Sequence, residues 1–194
     1  MDIAACSLHE YIERRAEETG SKRWPVLPPG EAAEIMRAVA AGVLALHHHR
    51  SRIIHRDIKP TNVLKMPDGR WVLADFGLCK FLGPVNTSVA FSVPANRGWG
   101  TEIYAAPEQW HDFEHSDERT DVYALGVLLW ELFTCQGPPF PHDASYLGLT
   151  PELACLFNLT HARDPRDRLS SVEKFVDQFD AAIEADGLPV CEGE

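Results

Sequence analysis

The segment His55-Arg56-Asp57-Ile58-Lys59-Pro60-Thr61-Asn62, followed eighteen positions after Asp57 by Asp75-Phe76-Gly77, decides the reading of this chain. Helical periodicity stops just before it, and Ile53-Ile54 leads into a polar loop. Asn62-Val63-Leu64-Lys65 then reads as a short strand, Pro67-Asp68-Gly69 as a turn and Trp71-Val72-Leu73-Ala74 as the returning strand, which together make a β-hairpin. Asp57, Lys59 and Asn62 therefore stand at one end of a rigid support, and Asp75 stands at the other. Taken singly, each of these residue types has ordinary uses in loops and turns. Their order and separation around a hairpin set them apart.

Outward from this centre the pattern is helical. Leu8 to Glu18 places Leu8, Tyr11, Ile12 and Arg15 at helical spacing, and residues 19–29 form a loop rich in Gly and Pro. Glu31 to His49 is a second helix, with Ile35, Val39, Val43, Leu44 and Leu46 on an apolar face and Pro29-Gly30 before it. Residues 76–105 are irregular, and a loop of that length in a compact domain is usually functional. Arg119 to Phe133 is apolar nearly all round, as in a fully buried helix ended by Gly137-Pro138-Pro139. Pro151 to Leu159 and Ser170 to Glu184 close the domain. Ser170 and Ser171 are N-cap candidates for the last helix, with Glu173 supplying a capping box. The fold class is mainly α with one small hairpin, in a single domain over residues 1–185, and residues 186–194 read as a frayed tail.

Composition narrows the function. A chain of 194 residues with 45% apolar and 24% charged residues supports a real core. A net charge of −11 argues against nucleic acid or an anionic membrane as partner. Cys6, Cys79, Cys135, Cys155 and Cys191 show no CxxC spacing, which fits a reducing compartment, the cytoplasm or the nucleus. The stretch Val122 to Leu129 is too short to span a bilayer. His47-His48-His49 invites a metal site, but consecutive helical residues point in different directions, so a helix end favourable to histidine accounts for them better.

The two central motifs resemble the catalytic loop, H-R-D-x-x-x-x-N, and the metal-binding D-F-G of eukaryotic-type serine/threonine protein kinases. Gly100-Thr101-Glu102-Ile103-Tyr104-Ala105-Ala106-Pro107-Glu108 is similar to the segment that receives the substrate in that family. Asp121 to Val127 is similar to the start of its central buried helix, and Arg163-Asp164-Pro165-Arg166-Asp167-Arg168 to its late arginine motif. Five motifs in family order cover residues 55–168. The resemblance implies a kinase-like fold represented by its C-terminal lobe.

It also implies roles. Phosphoryl transfer passes through a loose transition state, so positioning and charge neutralisation dominate. Asp57 would orient a protein hydroxyl and accept its proton, Lys59 would reach the γ-phosphate of ATP, and Asn62 and Asp75 would supply the hard oxygens that Mg²⁺ prefers. Thr101 would bridge towards Asp57 and Lys59, a pattern of serine/threonine specificity. Met1-Asp2-Ile3-Ala4 resembles the hinge between lobes, which makes Asp2, Ala4 and Leu64 nucleotide-contacting positions. Arg56 would pair with a phosphate placed on Thr87, Ser88 or Ser92 by an upstream kinase. Asp121 would accept hydrogen bonds from the catalytic-loop backbone, Glu108 would pair with Arg168, and His55 and Phe76 would be core or spine residues.

The sequence departs from the family in two places. It has no G-x-G-x-x-G loop and no V-A-I-K-like strand before His55, so the N-terminal lobe is expected to be absent from the chain as given. The helix between Phe140 and Thr150 is shortened or lost, which bears on recognition of a protein substrate. The functional expectation is an ATP- and Mg²⁺-dependent protein serine/threonine kinase. Its alternative is a catalytically impaired kinase-lobe fragment that acts as a binding or regulatory module.

Overall fold

The computed structural model describes residues 3–20, 27–82, 102–111, 114, 116–134 and 149–187. The chain enters through strand β1 (Cys6–Ser7) and turns into helix α1 (Leu8–Thr19). A capping box makes that turn: Ser7 Oγ accepts the Glu10 N–H at 3.2 Å, and Glu10 Oε2 accepts the Ser7 N–H at 2.7 Å. The signature Ser7-Leu8-His9-Glu10 is plain in the sequence, although the expected box lay elsewhere.

Helix α2 runs Pro29–His47, two residues earlier at its start than Glu31. Pro29 stands at the first helical position, where its missing N–H would have no intrahelical partner in any case and its fixed φ is already helical. The hairpin forms as expected from β3 (Val63–Lys65) and β4 (Trp71–Leu73), with Leu64 opposite Val72. Gly69 takes φ +91° in the turn, a backbone that only glycine adopts freely. Two strand pairings were not legible. β1 adds to the other edge of β3 with Ser7 opposite Leu64, and β2 (Ile53–Ile54) pairs antiparallel with β5 (Lys80–Phe81). Two-residue strands are too short to show alternation.

Below the sheets, α2 packs against β4, with Gly42 so near Leu73 that a Cβ there would meet the Leu73 Cβ at 3.2 Å. After the short helix α3 (Glu108–His111) comes α4 (Glu118–Thr134), buried without a break from Thr120 to Leu132. It is enclosed by α2, α5 (Pro151–Thr160) and α6 (Val172–Ala185). Trp130 meets Phe157 of α5 at 5.0 Å between ring centroids, and Phe133 meets Phe179 of α6 at 6.1 Å. Among the described residues no helix is long and apolar enough to cross a membrane.

The last helix corrects one expectation. Ser171 caps α6 through the Lys174 N–H at 3.4 Å, which puts Lys174 rather than Glu173 at the third helical position, so no capping box forms there. Asp186 and Gly187 close the end of α6, their N–H groups donating to the Ala182 and Glu184 carbonyls, with Gly187 at φ +66°. Residues 188–194, Gly137-Pro138-Pro139 and the region between Phe140 and Leu149 lie outside the described residues.

The α4–α5 crossing depends on Gly126, where a Cβ would sit 2.0 Å from Thr160 Oγ1 and 2.6 Å from Thr160 Cβ. Gly126→Ala is expected to lower unfolding free energy by about 3 kcal/mol despite the better helix propensity of alanine. Urea denaturation measures this, and a loss near zero would show that the two helices do not approach so closely.

Candidate active site

The start of the loop between β2 and β3 is held from below by helix α4. Asp121, at the first turn of α4 and fully buried, accepts the His55 N–H on Oδ2 and the Arg56 N–H on Oδ1, both at 2.8 Å. His47 Nε2 donates to the same Oδ2 at 2.8 Å. Asp121 thus holds the catalytic-loop backbone as expected. His47 is a buried partner of that carboxylate, which replaces the reading of the histidine run as a simple helix-end preference. The three neighbours diverge: His48 pairs with Glu173, and His49 Nδ1 accepts the Ser51 N–H at 3.2 Å.

Arg56 adopts a left-handed backbone, φ +66°, and Asp75 does the same at +63°. Non-glycine residues hold such conformations when their surroundings over-determine them, and functional loops are where this happens. For Arg56 the surroundings are Asp121 on its N–H, Gln109 Nε2 on its carbonyl at 2.9 Å, and its own Nε donating to Leu78 O at 2.6 Å. His55 is fully buried. Its Nδ1 accepts the Asp57 N–H at 3.3 Å, and its Nε2 donates to Ala74 O at 3.1 Å, which ties the loop to the end of the hairpin.

This framework brings Asp57, Lys59 and Asn62 together. Lys59 Nζ donates to Asp57 Oδ2 at 2.9 Å, and Asn62 Nδ2 donates to the same oxygen at 2.9 Å and to Asp57 O at 2.8 Å. Asp57 Oδ1 takes no part in these bonds. The side chains of Lys59 and Asp57 are 18% and 11% exposed, screened enough to matter and open enough to meet a ligand. Asn62 O accepts the Ala74 N–H at 2.8 Å, so the residue before Asp75 is fastened beside Asn62. Asp75 is exposed, and one of its oxygens accepts the Gly77 N–H at 3.1 Å.

The remaining expected positions divide. Ala4 and Leu64 are both partly buried and share the β1–β3 edge, where Ala5 N donates to Lys65 O at 2.8 Å. Asp2, Thr101, Thr87, Ser88 and Ser92 lie outside the described residues. Phe76, expected as a core or spine residue, is 52% exposed, and its ring meets that of His55 at 5.5 Å between centroids. Cys79 is buried beside the loop, and burial, with Asp121 nearby, pushes its thiol up to about 12, so it is no nucleophile.

At the start of α3, Arg168 grips Glu108 with two hydrogen bonds of 2.7 and 2.8 Å. Its other donors reach the carbonyls of Ala162, Arg119 and Arg163, so the whole guanidinium is used, and a lysine could not reproduce that fork. Two buried groups there escaped sequence reasoning. Gln109 carries no periodic signal. Glu131 did offer one, as the single acid within the apolar run of α4, and it receives the Tyr104 hydroxyl hydrogen bond.

Burial pushes the Glu131 carboxyl up to about 7, against the opposing effect of the Tyr104 hydrogen bond. Burial and the neighbouring Glu131 likewise push the Tyr104 hydroxyl well above its ordinary range.

The protein kinase domain family matches residues 3–179, and the chain belongs to that family. It is 32% identical over 182 residues to the serine/threonine-protein kinase PknL of Mycobacterium tuberculosis, covering 84% of this chain and 43% of that protein. It is 41% identical over 132 residues to a probable receptor-like serine/threonine-protein kinase of Arabidopsis thaliana, covering 68% of this chain and 21% of that protein. The chain therefore spans less than half the length of these curated relatives.

Glu131 predicts a pH dependence of stability. Its pKa is raised in the folded state, so the folded protein holds the proton more tightly. The stabilisation is complete below the unfolded value near 4.5 and is lost as pH rises to about 7. A shift of this size corresponds to ~3 kcal/mol. Urea melts between pH 4.5 and 8 should show wild type losing stability relative to Glu131→Gln as pH rises, with the difference levelling above pH 7. Parallel curves would mean that Glu131 titrates normally.

Proposed function

We propose that this chain supplies the catalytic lower part of an ATP-dependent protein serine/threonine kinase, which transfers the γ-phosphate of Mg-ATP to a protein hydroxyl. The observation that carries the reading is the convergence of Lys59 and Asn62 on one oxygen of Asp57. That arrangement leaves Oδ1 to accept the proton of a serine or threonine hydroxyl as the hydroxyl oxygen attacks the γ-phosphate, and it leaves the Lys59 ammonium beside Asp57 to offset the charge of the phosphoryl group being transferred.

The donor set suits Mg²⁺. With Asn62 Nδ2 held by Asp57, the amide oxygen is the free end of that side chain, and Asp75 keeps one oxygen out of its bond to Gly77. Both are hard oxygen ligands of the kind magnesium takes alongside phosphates and water. Magnesium bound there would neutralise phosphate charge. The protein's part is to fix Asn62 and Asp75 on one hairpin, to orient Asp57 through its bonds from Lys59 and Asn62, and to place the hydroxyl beside it. Ala4 and Leu64, with Asp2, would border the adenine. Thr101 would bridge Asp57 and Lys59. An upstream kinase acting on Thr87, Ser88 or Ser92 belongs to the same reading, with Arg56 as the phosphate's partner. So does a cytoplasmic or nuclear location.

The test is phosphate transfer by the full-length protein that carries this chain, on serine, threonine and tyrosine peptides, with and without Mg²⁺. Wild type should modify serine or threonine. Asp57→Asn should lower kcat by about 10²–10⁴-fold with nucleotide affinity kept, the span expected for a lost general base. Asp75→Asn should remove the magnesium dependence of nucleotide binding. A wild-type protein that binds peptide or nucleotide but transfers nothing would overturn the kinase reading in favour of a binding module.

A further inference from the structure

Gln109 occupies a position that neither phosphate chemistry nor core packing requires. It follows Glu108 at the start of α3, it is 4% exposed, and both ends of its amide are engaged. Its Oε1 accepts the Ala106 N–H at 2.9 Å, in the segment that receives the substrate. Its Nε2 donates to Arg56 O at 2.9 Å, in the peptide unit that leads directly into Asp57. The opposite edge of that peptide unit, the Asp57 N–H, is held by His55 Nδ1. The peptide plane before Asp57 is thus pinned on both edges, and one pin is carried by the substrate segment. Because Ala106 offers a donor and Arg56 an acceptor, the amide cannot flip, and no other neutral side chain of that length offers both.

We propose that Gln109 is a positioning residue that sets the orientation of Asp57 according to the placement of the substrate segment, so that proton acceptance and substrate binding are coupled through one buried amide. This rests on the kinase reading above. It adds a coupling between two segments about fifty residues apart in sequence, and it assigns that coupling to a side chain that touches neither nucleotide nor substrate. Loss of a buried hydrogen bond that leaves its backbone partner unsatisfied has an effect large enough to measure.

Two variants separate the coupling from simple stability. Gln109→Met keeps the volume and removes both bonds. Gln109→Glu keeps the acceptor for Ala106 but, when ionised, faces Arg56 O with a second oxygen, and when protonated it can donate to that oxygen again. In the full-length protein, kcat and KM are measured for peptide and ATP between pH 5.5 and 8.5, corrected for the folded fraction by circular dichroism.

Gln109→Met should lower kcat/KM for peptide by about 10- to 100-fold, through a lower kcat and a higher peptide KM, with KM for ATP unchanged. Gln109→Glu should match it at high pH and recover towards wild type as pH falls. A loss that is the same for peptide and ATP, or that disappears on correction for folded fraction, would overturn the proposal.

Hydrogen exchange keeps the two ideas distinct. If wild type transfers no phosphate, the kinase reading fails. The coupling then stands only if Gln109→Met speeds exchange at residues 55–58 and 103–107 together while α6 is unchanged, and it falls if either segment is unaffected.

Discussion

One buried carboxylate sets the geometry on which the rest of the site depends. Asp121 has no exposed surface and receives three hydrogen bonds, two from consecutive backbone N–H groups of the loop and one from His47. Consecutive N–H groups rarely point the same way in an extended chain. Aiming both at one carboxylate is compatible with the left-handed turn at Arg56, and that turn sends Asp57 towards Lys59 and Asn62. A buried charge left without partners would be expensive, so the loop and α4 hold one another in place.

The other buried polar groups repeat this device along the chain. Glu108 and Arg168 fasten the start of α3 to the turn before α6, Gln109 fastens it to the loop between β2 and β3, and Tyr104, just ahead of it, is bonded to Glu131 in the middle of α4. The apolar core of α2, α4, α5 and α6 supplies most of the cohesion, but apolar contacts are non-directional. Directional bonds from α4 and its neighbours convert a helical bundle into a support that fixes the side chains of Asp57, Lys59 and Asn62 relative to one another.

Much of this was legible. The order of His55-Arg56-Asp57, Asn62 and Asp75-Phe76-Gly77 marked the family, the turn Pro67-Asp68-Gly69 marked the hairpin, and the apolar run from Val122 marked the buried helix. The pairing of Asp121 with the loop and of Glu108 with Arg168 also followed from the resemblance. What was not legible were the features that exist only in three dimensions. His47 looks like its neighbours His48 and His49 in the sequence, yet helical geometry alone carries it inward to Asp121. Two-residue strands have no period to read. The resemblance made Phe76 a core or spine residue, but its exposure depends on what packs over it, and that is not written locally.

The most direct measurement of the central claim is made on Asp121→Asn, which keeps the shape of the side chain and replaces one acceptor by a donor. Amide hydrogen exchange of His55 and Arg56 should rise by at least about tenfold, since one of these N–H groups would face an NH₂ group in a buried site. Phosphate transfer by the full-length protein should fall with it, while exchange in α6 stays slow. Unchanged exchange at both amides would contradict the account, because the loop would then hold its shape without the carboxylate.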